Sequence, residues 1–228
     1  MPRLFEPLTL RDVVLKNRIM MSPMCQYSSG EDAMPNDWHY VHYATRAVGG
    51  VGLIMVEATA VESRGRISER DLGIFEDRHV EPLARLVELC HRNGAKIGLQ
   101  IAHAGRKAWS ENKGFGPELP VAPSAIPFEA DWKIPHALTV EEIGEIVIGF
   151  QRAAHRALRA GFDVVELHAA HGYLISEFLS PLSNHRQDEY GGSLNGRMRL
   201  LHEVVDAVRQ VWPERAPLFV RVSASDWL

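Results

Sequence analysis

The stretch DVVELHAAHGYLISEFLSPLSN (residues 163–184) begins as an apolar strand and places His168, His171 and Tyr173 within six residues as that strand ends. Four other runs share its character: residues 18–24 (RIMMSPM), 51–58 (VGLIMVEA), 96–102 (KIGLQIA) and 218–223 (LFVRVS). With residues 163–168, these are five strands, each nearly continuous in apolar residues. A parallel strand covered on both faces has that composition.

Helical patterns fall between the strands. Residues 39–48 come first and stop at Gly49-Gly50. Residues 80–93 carry Val80, Leu83, Leu86, Val87 and Cys90 at helical spacing, with Gly94 as a C-terminal stop. Thr139 and Glu142 form a capping box for a third helix that Gly161 ends. Its buried stripe is Ile143, Ile146, Val147, Phe150, Ala154 and Ala157 or Leu158. The last helix, residues 196–211, stops before Pro213. Strand and helix alternate, so the class is α/β with a parallel sheet. Residues 103–138 break the rhythm; rich in Pro, Gly and charge, they read as an elaborated loop over a site.

Composition narrows the function. A chain of 228 residues with 46% hydrophobic content is large enough for one core, and a net charge of −4 argues against a nucleic-acid surface. No segment has the length and apolarity of a membrane span, and the first residues lack a secretory pattern. Two cysteines, Cys25 and Cys90, without zinc spacing, suit a reducing compartment, so a cytoplasmic protein is expected.

Polar groups collect at one end of the sheet. Cys25, Gln26 and Tyr27 follow the first strand; Glu57 and Thr59 sit at the end of the second. Gln100 leads to His103, Arg106 and Lys107 on the third, and His168, His171 and Tyr173 close the fourth. The fifth holds Arg221, then Ser223 and Asp226. A (β/α)8 barrel carries its catalytic groups on that face. A doubly wound sheet would gather them at one crevice, often beside a glycine-rich phosphate loop, and no such loop occurs. The barrel is the expected fold.

Bland readings stand beside the sharp ones. Gln100 in an apolar strand needs partners, which backbone could supply as easily as a ligand. Arg221 in a buried strand demands an anion or a structural carboxylate. Cys90 lies on a helix's apolar stripe and reads as core, whereas Cys25 stands where a site would be. Glu57 and Glu166 read either as paired barrel carboxylates or as structural ion-pair partners.

The ordered set LKNRIMMSPMCQYS, GGVGLIMVEATAV, GRIS, IGLQIAHAGRKA, ELHAAHGYLISEFLSPLSNHR, DEYGGSLNGR and FVRVSASDW closely resembles the Old Yellow Enzyme family of flavin-dependent ene-reductases, in its bacterial, thermophilic-like branch. The likeness runs from about residue 4 to residue 228. It implies FMN as cofactor, NADPH or NADH as hydride donor, and electron-poor alkenes as small-molecule substrates. By that resemblance Ser22, Pro23, Met24 and Cys25 line the flavin. Ala58 and Gln100 contact its ring, and Arg221 lies near its N1 and C2 carbonyl. His168 and His171 hold the substrate carbonyl, Tyr173 donates the proton, and Tyr27 and Lys107 line the substrate pocket.

A barrel needs eight strands, so residues 1–228 are expected to be a single FMN-binding domain that is incomplete at its C-terminus. The full-length protein is expected to be a homo-oligomer. Two alternatives remain: a metal-dependent barrel hydrolase or isomerase using His103, His168 and His171 with Glu57 or Glu166, and an inactive fragment without a flavin phosphate site.

Overall fold

A computed structural model describes residues 3–108 and 119–226. Residues 109–118 of the long loop, and Trp227 of the last motif, lie outside the described residues. A short antiparallel hairpin opens the chain, β1 (Leu8–Leu10) against β2 (Val13–Leu15). Then follow β3 (Met20–Met21), α1 (Asp37–Val48), β4 (Leu53–Ala60), α2 (Val80–Arg92) and β5 (Lys96–Ala102). A two-residue parallel pair, β6 (Val121–Ala122) and β7 (His136–Ala137), lies in the long loop. The chain continues through α3 (Val140–Ala160), β8 (Val164–Ala169), α4 (Leu174–Leu179), α5 (Leu194–Arg209) and β9 (Leu218–Val222).

The main sheet is parallel throughout, in the order β3-β4-β5-β8-β9. Spatial order repeats chain order without a reversal, so there is no topological switch point, and the sheet is an arc of a barrel. Its two faces differ. Ile54, Val56, Ile97, Leu99, Ile101, Val165 and Leu167 join one core with the helices, through Leu83, Leu86, Phe150, Ala157 and Val204. Side chains alternate along a strand, so Leu53, Met55, Val164 and Phe219 fall on the inward face. There they pack with Leu15 of the N-terminal hairpin, which closes the amino end of the arc. Gly98 shares that face because a Cβ there would collide with Met55 and Val164.

Local signals explain the helices. Thr139 accepts from the Glu142 N–H while Glu142 reaches back to the Thr139 N–H, and Gly161 closes α3 at φ 89°. Such a cap is worth about 1 kcal/mol. Asn36 caps α1 from its Oδ1, and His39 Nδ1 accepts the Asn36 N–H, so α1 begins two residues before the expected start. Ser193 caps α5 at Gly196 N, again moving its start earlier than residue 196.

The flanking strands depart from expectation. Residues 18–24 give only the two-residue β3, because Pro23 has no N–H for a ladder. Met20 is 40% exposed, and on β9 Val220 and Val222 are 40% and 54% exposed. Burial is continuous along β4 and β8 and nearly so along β5, the inner strands of the described arc, which β3 and β9 flank. Among the described residues, no helix is long and apolar enough to cross a membrane.

Candidate functional site

Register brings the strand-borne groups together. Gln100 lies opposite Glu166, and His168 opposite Arg221. All four share the inward parity of Gly98, Val164 and Phe219, at the carboxyl end of the arc. Gln100 Nε2 donates to Glu166 Oε1 at 2.7 Å, which supplies the buried amide with a protein partner. Burial raises the Glu166 carboxyl above its ordinary range, against the Gln100 bond and the Arg221 charge, which lower it. Arg221 is half-buried, and its guanidinium has no ion pair or hydrogen bond among the described residues.

His168 is buried, and its Nδ1 accepts the Ala170 N–H at 3.3 Å. That assigns the ring proton to Nε2. Burial, then His171, Arg221 and Lys107, lowers its pKa to about 3, so the ring is neutral at physiological pH. His171 and Tyr173 both meet it edge-on, with ring centroids 5.1 and 5.0 Å away.

Loops supply the rim. His171 adopts a left-handed φ of 61° and is pinned from two sides. Its N–H donates to Ser223 Oγ at 3.0 Å, and its carbonyl accepts from Lys107 Nζ at 2.9 Å. Lys107 also lies over the rings of Phe128 (4.6 Å) and Tyr173 (4.9 Å). Tyr173 packs with Cys25 and Tyr27 around Ile67, Ala104 and Ala108. Burial raises the Tyr173 and Tyr27 phenols above their ordinary range. It pushes the Cys25 thiol up to about 12, with Asp71 and Glu57 adding to the effect.

Of the expected site residues, Cys25, Tyr27, Lys107, His168, His171 and Tyr173 are thus neighbours, above the inward row of Gln100 and Arg221. Ala58 is buried beside Tyr173 in the wall of a cavity of about 10 Å³, room for about one water. Ser22, Pro23 and Met24 follow the short β3; Ser22 and Met24 are exposed, and Pro23 is half-buried.

Glu57 and Glu166 are not a pair. The β4–β5 register shifts between Val56 and Thr59, setting Glu57 and Ala58 against Gln100 alone. Such a bulge re-aims a side chain. Glu57 accordingly meets Tyr43 of α1, whose hydroxyl donates to it at 3.0 Å. His103 is equally committed: Nε2 bonds Glu62 at 2.7 Å and Nδ1 accepts the Gly105 N–H. The metal alternative loses both residues, and among the described residues no three His, Cys, Asp or Glu side chains could hold an ion.

Residues not singled out from sequence also shape the site. Ser223 stands out in sequence only as a strand-end polar group, and no motif marks Asp71, Phe128 or Glu177. Asp71 Oδ2 accepts the N–H groups of Ile67 and Ser68. Glu177 Oε1 accepts the Arg106 N–H at 2.9 Å. A buried acid in a helical apolar run was the available signal for Glu177.

The family model for the NADH:flavin oxidoreductase / NADH oxidase family matches residues 3–228. The NADPH dehydrogenase of Geobacillus sp. (strain WCH70) is 59% identical over 225 residues, covering 98% of this chain and 64% of that protein. The NADPH dehydrogenase of Bacillus subtilis (strain 168) is 56% identical over 226 residues, covering 99% and 64%. This chain therefore spans about 64% of the length of these curated relatives. Among solved structures, morphinone reductase superposes with a TM-score of 0.88 at 36% identity, covering 97% of this chain and 62% of that one. The old yellow enzyme homologue from Zymomonas mobilis gives 0.87 at 36% identity, covering 97% and 63%. Sequence, fold and relatives agree: the chain belongs to the NADH:flavin oxidoreductase / NADH oxidase family, that of the Old Yellow Enzymes.

Proposed function

We propose that residues 1–228 form a single flavin- and acceptor-binding domain of an FMN-dependent NAD(P)H oxidoreductase that reduces activated alkenes. The observation that carries this reading is the stacked arrangement of the site. A guanidinium that makes no ion pair or hydrogen bond among the described residues and a buried amide share the inward face, beneath two imidazoles whose burial disfavours their charged form and a protonated phenol.

The donor set fits the cofactor. Arg221, Gln100, Ala58 and the segment Ser22, Pro23, Met24 and Cys25 would hold the flavin. Bound FMN would supply hydride chemistry, taking two electrons from NADPH or NADH and delivering hydride to the β-carbon of an α,β-unsaturated carbonyl or nitro compound. Arg221 keeps a fixed positive charge at the end of the inward row, where a reduced ring needs compensation.

The protein's own groups do the rest. His168 offers its Nε2–H, and His171 a second imidazole, to the acceptor's oxygen as negative charge grows there. Donors already in place for a developing oxyanion are worth roughly 100- to 1000-fold in rate. Tyr173 holds its phenolic proton at neutral pH, raised further by burial, and can pass it to the α-carbon as that atom becomes basic. Tyr27 and Lys107 flank the acceptor. The full-length protein would act as a homo-oligomer in the cytoplasm, on small molecules rather than nucleic acid or membrane.

The purified full-length protein should be yellow and should bleach when NADPH is added without oxygen. A colourless preparation that FMN cannot reconstitute would contradict the reading.

A further inference from the structure

Glu57 is a buried acid that takes no part in the proposed chemistry, yet it touches the loop bearing two of the site's residues. Its Oε2 accepts the Gln26 N–H at 2.7 Å, and the Tyr27 N–H also bonds the carboxylate. Its Oε1 accepts from the Tyr43 hydroxyl, which in turn accepts the Glu57 N–H, both at 3.0 Å. His39 Nε2 stands 3.6 Å from the same Oε1. The carboxylate is 1% exposed, and Tyr43 and His39 are fully enclosed. A rigid block made by α1 and the β4 bulge thus grips the backbone immediately after Cys25.

That grip has something to hold. Tyr27 sits at φ 49°, a left-handed conformation that a bulky residue keeps only when its surroundings impose it. The loop follows a strand of only two ladder residues, Met20 and Met21, and residues 22–30 belong to no strand. The Cys25 and Tyr27 side chains are hydrogen-bonded to each other. Across the site they face Tyr173, with Asp71 behind.

We infer that Glu57 is a positioning residue: its carboxylate clamps the Gln26–Tyr27 backbone and thereby presents Cys25 and Tyr27 to the acceptor site. Reading Cys25 and Tyr27 as cofactor and substrate contacts rests on the proposed function; the clamp itself does not. Removing the carboxylate releases the loop, whereas an amide of the same shape keeps an acceptor oxygen for the two N–H groups.

The two cysteines provide the test. Cys25 is half-buried on the clamped loop, and Cys90 is wholly buried on α2 in the helix-side core. Alkylation by iodoacetamide in the intact protein, resolved by peptide mass, reports local loop opening at Cys25 and global opening at Cys90. Glu57→Ala should speed Cys25 alkylation at least about tenfold while Cys90 stays at the unsubstituted rate. Glu57→Gln should remain within about threefold at both. In turnover, Glu57→Ala should raise KM for the alkene about tenfold.

An unchanged Cys25 rate in Glu57→Ala overturns the clamp. So does a parallel rise at Cys90, which would mean general destabilisation, or an effect of Glu57→Gln as large as that of Glu57→Ala. The alkylation needs no cofactor. A colourless, unreconstitutable wild-type protein would sink the functional reading while leaving the thiol result to decide the clamp.

Discussion

Gln100, Glu166, His168 and Arg221 reach the site from adjacent strands in register, whereas Tyr27, Lys107, His171 and Tyr173 reach it from loops. The strand group is placed by the ladder itself; once β5, β8 and β9 pair, the inward parity of those four residues follows. The rim group is placed by backbone that the ladder does not control. Tyr27 and His171 are left-handed at φ 49° and 61°, and Gly105 and Gly172 at 60° and 68°. Ser223 and Lys107 pin His171, and buried acid side chains hold other parts of the rim. Glu57 grips residues 26 and 27, Asp71 grips 67 and 68, and Glu177 grips 106. One site is therefore built on two supports, a sheet below and a set of acid anchors above.

The difference shows most sharply in how substitutions should behave. On the sheet, His168→Ala should cut alkene reduction roughly 1000-fold. Unfolding free energy should fall by only about 1 kcal/mol, for the lost acceptor of the Ala170 N–H. Stopped-flow kinetics beside urea titration measures both; a small rate loss with a large stability loss would reverse the assignment. On the rim, Tyr173→Phe should slow acceptor reduction roughly 100-fold, with flavin reduction nearly intact. Loss of flavin binding in that variant would place Tyr173 in the wrong role.

Gly105→Ala probes an anchor without touching any proposed catalytic atom. A Cβ there would run into the Glu177 carboxylate, on backbone already at positive φ. A loss of about 2 kcal/mol on chemical denaturation is expected. A neutral result would mean that the Glu177 anchor yields at no cost.

The smallest expected effect is a null one. With a folded pKa near 3, His168 should show no ring titration by NMR between pH 8 and 5. Its folded value lies below the ordinary histidine value of about 6.5. The neutral ring's contribution to stability is thus present above about pH 6.5 and lost as pH falls toward 3, where the unfolded chain takes the proton first. A ring titrating near pH 6.5 would contradict its burial beneath His171.

The same division governs what could be read from sequence. Residues 96–102 form β5 to the residue, and the Thr139–Glu142 box and Gly161 terminate α3 as expected, because such signals are local. The strand-borne candidates Gln100, His168 and Arg221 are legible as polar groups near the ends of apolar runs. What stayed hidden depends on tertiary contact. Glu57 reads from sequence either as a paired barrel carboxylate or as a structural partner, and only the bulge that turns it toward Tyr43 chooses the second. Residues 174–179 form a helix inside the opening motif that the apolar run alone did not announce.

The midpoint potential of bound FMN tests the inward face most directly, comparing the unsubstituted full-length protein with Arg221→Met by spectroelectrochemistry. Removal of the fixed positive charge should lower the two-electron potential by roughly 30–60 mV, where 30 mV corresponds to about 1.4 kcal/mol. A potential unchanged by Arg221→Met, with FMN still bound, would mean that the flavin does not lie on the inward face of these strands.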